Sequence, residues 1–255
     1  MDDKELECMN QIKLMLTSCD NFFGISRKDE EYIQDLISAA ERNVQPSKFP
    51  DFISKVGILE HYSITSSEEK IRKGKGSKHQ EELSLYKKRV NNALQKDEKN
   101  GFLSLSHKFC VHSYSNLVSS IKKNTEKHIQ SLERYTGSKK TVIFIIEYSD
   151  FALEMFEEKW NKFDKIKYGD YPRNEIISDY RLSRDKKTLS YFYDNYLEKI
   201  DYIIFKNSLG VEFIKLSNIP AMISVLSFDF MISSKGGLMR VDSFVKIGSV
   251  ESNKL

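Results

Sequence analysis

Cysteine is scarce in this chain of 255 residues, and long apolar runs and a large excess of one charge are missing. The three cysteines, Cys8, Cys19 and Cys110, are odd in number and far apart, which excludes a disulfide framework and matches no zinc-binding pattern. We therefore expect buried or idle thiols. The longest apolar run, Thr141 to Ile146, is far shorter than the roughly 20 residues of a membrane-spanning helix and suits a buried strand.

The charges are nearly balanced, because 40 Lys and Arg residues compare with 37 Asp and Glu residues for a net charge of +3. Any binding of nucleic acid must therefore depend on local basic patches. The acidic N-terminus lacks the charged-then-apolar layout of a signal peptide, so we expect a cytoplasmic protein. A hydrophobic content of 40% and a charged content of 30% are typical of a soluble globular chain. The length allows one large domain, or a small domain with an elaboration.

Two helical patterns occupy the first part of the chain. Residues 4–16 carry apolar side chains at helical spacing, and Ser26 with Asp29 three residues later is an N-terminal capping signal for a second helix. The apolar stripe of this second helix comprises Ile33, Leu36, Ile37, Ala40 and Val44. Glu41 lies on the same stripe, and a carboxylate on a buried helix face costs free energy unless a cation or a hydrogen-bond donor meets it. We therefore interpret Glu41 as a pointer to a functional site.

After Pro50 the sequence alternates between strand and helix patterns. The predicted strands cover residues 51–54, 57–65, 141–146, 201–206 and 211–216, and a last hairpin covers 228–232 and 238–245. The predicted helices cover residues 78–96, 116–135 and 189–200, with helical spacing also at Met155, Phe156 and Trp160. This order of elements predicts an α/β fold (mixed α+β), in which helices flank a central mixed sheet.

Pro50-Asp51 and Glu60 form the pattern with the most chemical content. Two carboxylates from adjoining strands can bind Mg²⁺, which prefers oxygen ligands, polarises a phosphoryl oxygen and lowers the pKa of its bound water. Alternation in the second strand places Glu60 on one face with Ile58 and Tyr62, so Glu60 has apolar neighbours, as in a sheltered metal site. The alternative is that Asp51 caps a turn and Glu60 lies on the surface of an edge strand.

This layout resembles the PD-(D/E)XK nuclease superfamily, whose core is a helix, a three-stranded antiparallel sheet, a helix and a further strand. The resemblance covers residues 26–150 and rests on Pro50-Asp51, on Glu60 and on the order of elements. It implies that Asp51 and Glu60 bind the metal ion and that Glu41 matches the acid that many members carry on their first helix. It also implies a restriction-endonuclease-like core within residues 1–150, which residues 151–255 complete or extend as part of the same domain.

The sequence departs from the family at Tyr62, which stands where the motif has a lysine that helps to position the water and steadies the charge of the transition state. Some members recruit a lysine from elsewhere. The resemblance therefore implies a catalytic role for Lys73 or Lys75, with Lys78 or, in a different register, His61 as alternatives. Without such a residue the chain would be an inactive relative that binds nucleic acid without cutting it.

The segment from Lys70 to Lys78 contains five basic residues, two glycines and no acidic residue. Arg72, Lys73, Lys75 and Lys78 are candidates for contacts with a nucleic-acid backbone, which the glycines would allow to approach closely. The alternative is a solvated loop.

Other polar residues give weaker signals. Glu147 and Asp150 follow the strongest strand, where they would add a ligand or, as we favour, face solvent, with Asp150 as a helix N-cap. Ser66 or Ser67 is expected to cap the next turn rather than to bind phosphate. The five histidines show no metal-binding spacing.

These patterns together predict an endonuclease that uses Mg²⁺ or Mn²⁺ to hydrolyse phosphodiester bonds, with DNA as the expected substrate. The range of the superfamily implies a setting in restriction or antiphage defence. The expected partners are nucleic acid and either a second copy of the chain or a defence-system protein, without a membrane. The alternative is a catalytically inactive nuclease-like module that binds nucleic acid or a partner protein.

Overall fold

The central feature of the fold is a seven-stranded mixed sheet. It is seen in a computed structural model that describes residues 4–16, 22–45, 48–68, 77–95, 101–159, 173–208, 210–226, 231–235 and 239–246. The helices in these ranges are α1 (Lys4–Met15), α2 (Arg27–Ser38), α3 (Lys78–Gln95), α4 (Tyr114–Arg134), α5 (Lys186–Tyr196) and α6 (Ile219–Val225). The strands are β1 (Phe22–Phe23), β2 (Glu41–Arg42), β3 (Phe52–Ile53), β4 (Ile58–Ile64), β5 (Gly101–Lys108), β6 (Val142–Tyr148), β7 (Leu153–Lys159), β8 (Arg173–Asp179), β9 (Tyr202–Lys206), β10 (Val211–Lys215), β11 (Met231–Ser234) and β12 (Met239–Lys246).

The seven strands follow the order β1-β10-β9-β6-β4-β3-β2. The centre of the sheet is parallel, because β6 pairs with β4 on one side, with Glu60 opposite Phe144, and with β9 on the other, with Ile143 opposite Tyr202. The pairing is antiparallel between β4 and β3, β3 and β2, and β9 and β10, whereas the edge strand β1 is parallel to β10. Smaller sheets are formed by β11, β7 and β8 and by β12 and β5. The predicted mixed α/β architecture is confirmed.

The central strands are apolar on both faces because helices cover both faces of the sheet. Phe144 and Ile146 of β6 pack into a cluster that includes residues of α4, α5 and α6. Ile143 and Ile145 point the other way, into a cluster with residues of α1 and α2. Full burial of each such side chain stabilises the fold by about 1.5–3 kcal/mol. Hydrophobicity without alternation, as in residues 141–146, is thus the pattern of a strand buried between two helical layers.

Several helix boundaries agree with the predictions. α1, α3 and α4 each begin and end within two residues of the predicted ranges. Ser26 caps α2 as predicted, since its hydroxyl accepts the backbone N–H of Asp29 at 3.2 Å. Within the described ranges, no helix combines the length and the apolar character needed to cross a membrane.

Glu41 does not lie on the buried face of a helix, contrary to the prediction. α2 ends at Ser38, and Ala39 caps it by donating its N–H to the Asp35 carbonyl at 3.0 Å. The chain then extends, and Glu41 pairs with Ile53 in the edge strand β2, where its side chain is exposed. The chain leaves the helical conformation to pair β2 with β3, although apolar residues at helical spacing continue through Ala40 and Val44.

Two predictions for the C-terminal half are also wrong. Met155 and Phe156 lie in strand β7, paired with β8 and β11, instead of a helix; Trp160 lies outside the described residues. The strands β11 and β12 do not form a hairpin with each other. β11 pairs with β7, and β12 pairs with β5, a strand that the sequence did not indicate. Partners far away in the chain decide these pairings, so local spacing could not reveal them.

Candidate metal site

Asp51 and Glu60 meet across the short hairpin of β3 and β4. Phe52 pairs with Leu59 in antiparallel register, so the next residues along, Asp51 and Glu60, lie opposite each other. The backbone N–H of Asp51 donates to Glu60 Oε2 at 3.1 Å, and the backbone N–H of His61 donates to Asp51 Oδ2 at 2.7 Å. The structure therefore brings the two predicted acids together.

His128 of α4 joins this pair of acids. Its Nδ1 lies 2.5 Å from Glu60 Oε1, and its ring stacks on Tyr62 with centroids 4.8 Å apart. The Tyr62 hydroxyl lies 2.7 Å from Thr125 Oγ1 in the interior. Thr125 and His128 are three residues apart, so both project from one face of α4 towards β4. Tyr62, which stands at the lysine position of the family motif, is thus a buried anchor for α4 and supplies no charge.

Burial opposes charge at this site. It raises the pKa of Glu60 to about 7 and that of Asp51 to about 6, and the neighbouring charge of Glu60 adds to the shift of Asp51. Burial also lowers the pKa of His128 to about 4. A divalent cation between the carboxylate oxygens would reverse this balance, because it favours the ionised form of both acids. Carboxylate oxygens are ligands that suit Mg²⁺ or Mn²⁺.

Glu5, near the start of α1, is a third acid in this neighbourhood. Burial raises its pKa, and the charge of Asp51 raises it further. Its carboxylate lies 3.5 Å from the guanidinium of Arg42 in β2. Glu5 of α1 is therefore close enough to interact electrostatically with Asp51 and Glu60, whereas Glu41, the acid that the resemblance implies, is exposed in β2.

Among the lysine candidates, only Lys78 falls within the described residues. It begins α3, beyond the C-terminal end of β4, and its Nζ lies 3.7 Å from Glu68 in an ion pair whose side chains are 49% and 68% exposed. Such a pair contributes little to stability. Arg72, Lys73 and Lys75 lie outside the described residues.

His61 belongs to a second polar cluster, on the opposite face of β4. Its Nε2 lies 3.3 Å from Glu147 Oε2, the Ser63 hydroxyl donates to the same oxygen at 3.3 Å, and Lys206 Nζ donates to Glu147 Oε1 at 3.1 Å. Glu147, Lys206, Ser63 and Cys8 line a cavity of about 330 Å³ at the C-terminal ends of β4, β6 and β9. Burial raises the pKa of Glu147, but the hydrogen bond from His61 and the charge of Lys206 outweigh it and lower the value to about 2. Glu147 is thus an ion-paired carboxylate, and the expectation that it faces solvent is wrong.

Asp150 is buried and caps no helix, because β7 follows it instead of the expected helix. Its Oδ2 accepts the hydroxyl of Thr65 and the backbone N–H of Ser66, both at 2.6 Å. Ser67 does contribute to a helix start, since its hydroxyl accepts the backbone N–H of His79 in the first turn of α3 at 3.4 Å. The end of β4 is therefore held by an internal network of hydrogen bonds.

Glu5 and His128 were not indicated as site residues by the sequence analysis. A usable signal exists for His128, because the buried stripe of α4 through Ile121 and Ile129 is interrupted by two polar residues, Thr125 and His128. Polar side chains on a buried helix face need a partner. Here the partners are Tyr62 and Glu60 of β4.

Comparisons with known proteins give no match, whether with family models, with curated proteins or with solved structures.

Proposed function

We propose that this chain is a metal-dependent nuclease that hydrolyses phosphodiester bonds of DNA, with Asp51 and Glu60 as the ligands of Mg²⁺ or Mn²⁺. The observation that carries the proposal is the meeting of the buried Glu60 and the half-buried Asp51, each with a raised pKa, across the β3–β4 hairpin. Two acids held against each other at a cost in free energy are typical of a site that binds a cation or performs acid–base chemistry.

The order of elements supports the same function. α2 is followed by the antiparallel strands β2, β3 and β4, then by α4 and by β6, which is parallel to β4. This is the core that the resemblance to PD-(D/E)XK nucleases implies, with α3 and β5 inserted between β4 and α4. Asp51 precedes the second strand of this core and Glu60 lies in the third, the places that the resemblance assigns to the two ligands.

In this proposal Asp51, Glu60 and His128 have different roles. The bound cation would polarise a phosphoryl oxygen and lower the pKa of its bound water. Asp51 and Glu60 hold the cation, and the backbone N–H groups that donate to them fix the directions of both carboxylates. His128 lies beside Glu60 at 2.5 Å, and burial lowers its pKa to about 4, so the neutral imidazole would orient the Glu60 carboxylate by a hydrogen bond and supplies no positive charge.

Basic residues near this site could meet the phosphates of the substrate. Lys127 is exposed on α4 next to His128, and its positive charge contributes to the lowered pKa of His128, so it lies within electrostatic range of the site. Lysine contacts to phosphate give affinity without sequence specificity. We assign the same backbone-binding role to the basic segment that contains Arg72, Lys73, Lys75 and Lys78.

One assay tests the nuclease proposal. Plasmid DNA, linear DNA and RNA are incubated with the full chain and Mg²⁺ or Mn²⁺, beside the variants Asp51→Asn and Glu60→Gln. We expect cleavage of DNA by the wild type and a loss of about 100-fold or more in both variants, because each removes a ligand charge. Glu41→Gln is the matched control, since it removes an exposed acid from the neighbouring strand β2 and should leave cleavage unchanged.

A second candidate function is a non-catalytic module that binds nucleic acid. The buried ring of Tyr62 favours it, because its hydroxyl is engaged by Thr125 and no charge replaces the lysine at that position. Intact substrates with every metal, together with DNA binding that Lys127→Gln weakens, would reject the nuclease and support this module. Equal cleavage by the wild type and Glu60→Gln would reject the assigned site.

A further inference from the structure

Three potential metal ligands from separate parts of the sequence converge at the end of β4. His79 lies in the first turn of α3, and Cys110 and His112 lie between β5 and α4. One ligand atom from each lies within 4.8 Å of the other two. All three residues are more than nine-tenths buried, with exposed fractions of 8%, 8% and 1%. Neither cysteine nor histidine spacing in the sequence indicated this group.

Two nitrogen atoms of this group are buried without a hydrogen-bond partner in the described structure, His79 Nδ1 and His112 Nε2. A buried polar atom left unsatisfied costs about 1–3 kcal/mol, so such atoms need an explanation. Ring packing alone explains part of the arrangement, because the His79 ring lies 4.9 Å from Phe109 and 5.0 Å from His112 between centroids. His107 also has an unpartnered nitrogen but lies outside the group of three, so the orphan atom by itself does not define a site.

The surroundings of His112 fix which of its nitrogen atoms is free to bind a metal. Its Nδ1 lies 2.8 Å from Ser66 Oγ and 3.5 Å from Asp150 Oδ2. With Nδ1–H donating to this pair, the lone pair remains on Nε2, the orphan atom. A histidine that binds metal almost always donates its other N–H to a carboxylate, a carbonyl or water, which fixes its tautomer and orientation.

We propose that His79, Cys110 and His112 bind one Zn²⁺ ion. Two imidazole nitrogens and a thiolate are ligands that zinc prefers in a tetrahedral site. Zinc–ligand bonds of about 2.0–2.3 Å in a tetrahedral site imply distances of about 3.3–3.8 Å between the ligand atoms. The ligand atoms of the three side chains, now within 4.8 Å of one another, would therefore have to move by about 1 Å. The thiol proton passes to solvent as the Zn–S bond forms, and no change of oxidation state is involved.

Glu82 lies beside this group, and its carboxylate or a water would complete four-coordination. It lies one turn after His79 on the same face of α3, and its Oε2 accepts the backbone N–H of Cys110 at 2.5 Å. A zinc ion here would join the start of α3 to the segment before α4. Through Ser66 and Asp150 it would join both to the ends of β4 and β6. We assign it a structural role, independent of the proposed nuclease site.

The test begins with the metal content and the cobalt spectrum of the full chain. We expect about one zinc per chain after purification in the presence of zinc. Replacement by Co²⁺ should give the visible bands of a tetrahedral site and a thiolate-to-cobalt charge-transfer band. Chelation should lower the unfolding temperature, and added zinc should restore it. A chain that binds no zinc and gives no charge-transfer band with Co²⁺ overturns the proposal.

Two sets of variants assign the ligands. Cys110→Ser and His112→Gln should lose zinc, whereas Cys8→Ser should retain it, although Cys8 is also a buried free thiol. Loss of a structural ion can unfold the chain, so a variant that keeps the proposed ligands is also needed. The double variant Cys8→Ser, Cys19→Ser keeps Cys110 as its single cysteine. Any thiolate-to-cobalt band in that variant must come from Cys110. Absence of the band there, with the band intact in Cys110→Ser, assigns the metal to another thiol and rejects the site.

Discussion

Replacing Glu147 with glutamine is expected to lower the free energy of unfolding by about 3 kcal/mol at pH 7. The wild-type carboxylate contacts His61 and Lys206, whose side chains are only 5% and 10% exposed. Burial raises the pKa of Glu147, but these contacts outweigh it and lower the value from 4.5 to about 2. Each pKa unit corresponds to about 1.4 kcal/mol, which gives the expected magnitude. The variant also leaves the charge of the buried Lys206 without its partner.

The sign of the pH dependence follows from the direction of this shift. An acid whose pKa is lower in the folded state stabilises the fold above its unfolded value of 4.5, and this stabilisation is lost as the pH falls towards 2. The difference between the wild type and Glu147→Gln should therefore shrink to about 1 kcal/mol at pH 3.

Urea unfolding at the two pH values, followed by circular dichroism, measures both differences. Glu31→Gln is the matched control, because Glu31 forms an ion pair of 3.4 Å with Arg27 on the surface of α2 and its side chain is 66% exposed. We expect this control to change the free energy of unfolding by less than about 0.5 kcal/mol. A cost for Glu147→Gln that equals the cost of the control, or that is the same at both pH values, refutes the reasoning.

Two further predictions concern the packing of β4. Tyr62→Phe removes the 2.7 Å hydrogen bond to Thr125 and should cost about 1–2 kcal/mol in urea unfolding; an unchanged midpoint would show that the buried hydroxyl of Thr125 finds another partner. Gly57→Ala places a Cβ 2.7 Å from the carbonyl oxygen of Thr141 and should cost about 1–3 kcal/mol, whereas Gly210→Ala, which meets nothing within 4 Å, should be nearly neutral; equal effects of the two substitutions would contradict the steric argument.

Sequence patterns predicted the elements whose signals are local. The cap at Ser26, the bounds of α1, α3 and α4 and the doubly buried strand β6 all follow from spacing within one segment. The contact between Asp51 and Glu60 could also be predicted from the sequence. The two residues lie on adjacent strands of a hairpin, whose register is fixed over a few residues. The assignment of Glu41 failed because the helix ends where β2 begins to pair with β3, and nothing within the stripe marks that point.

The group of His79, Cys110 and His112 shows the opposite case. Only Cys110 and His112 are close in sequence, and His79 reaches them because α3 packs against the segment that follows β5. Ser66 and Asp150 complete the arrangement from the ends of two parallel strands. No spacing rule covers ligands contributed by a helix start and a loop, so the group is visible only in three dimensions.

Four acids at the ends and edges of the described sheet differ in how their charge is compensated. Glu147 and Asp150 have lowered pKa values, because hydrogen bonds and neighbouring histidine or lysine side chains outweigh burial. Asp51 and Glu60 have raised pKa values. A raised pKa alone does not indicate a site, because burial also raises the pKa of Glu212, whose carboxylate accepts hydrogen bonds from the hydroxyl and the backbone N–H of Ser183. The distinguishing feature is a second acid in contact. A lone buried carboxyl group avoids the cost of its charge by keeping a proton, but two adjacent carboxyl groups are a stable arrangement in their ionised forms only with a cation between them. The metal site that we propose at Asp51 and Glu60 rests on this contact between two acids.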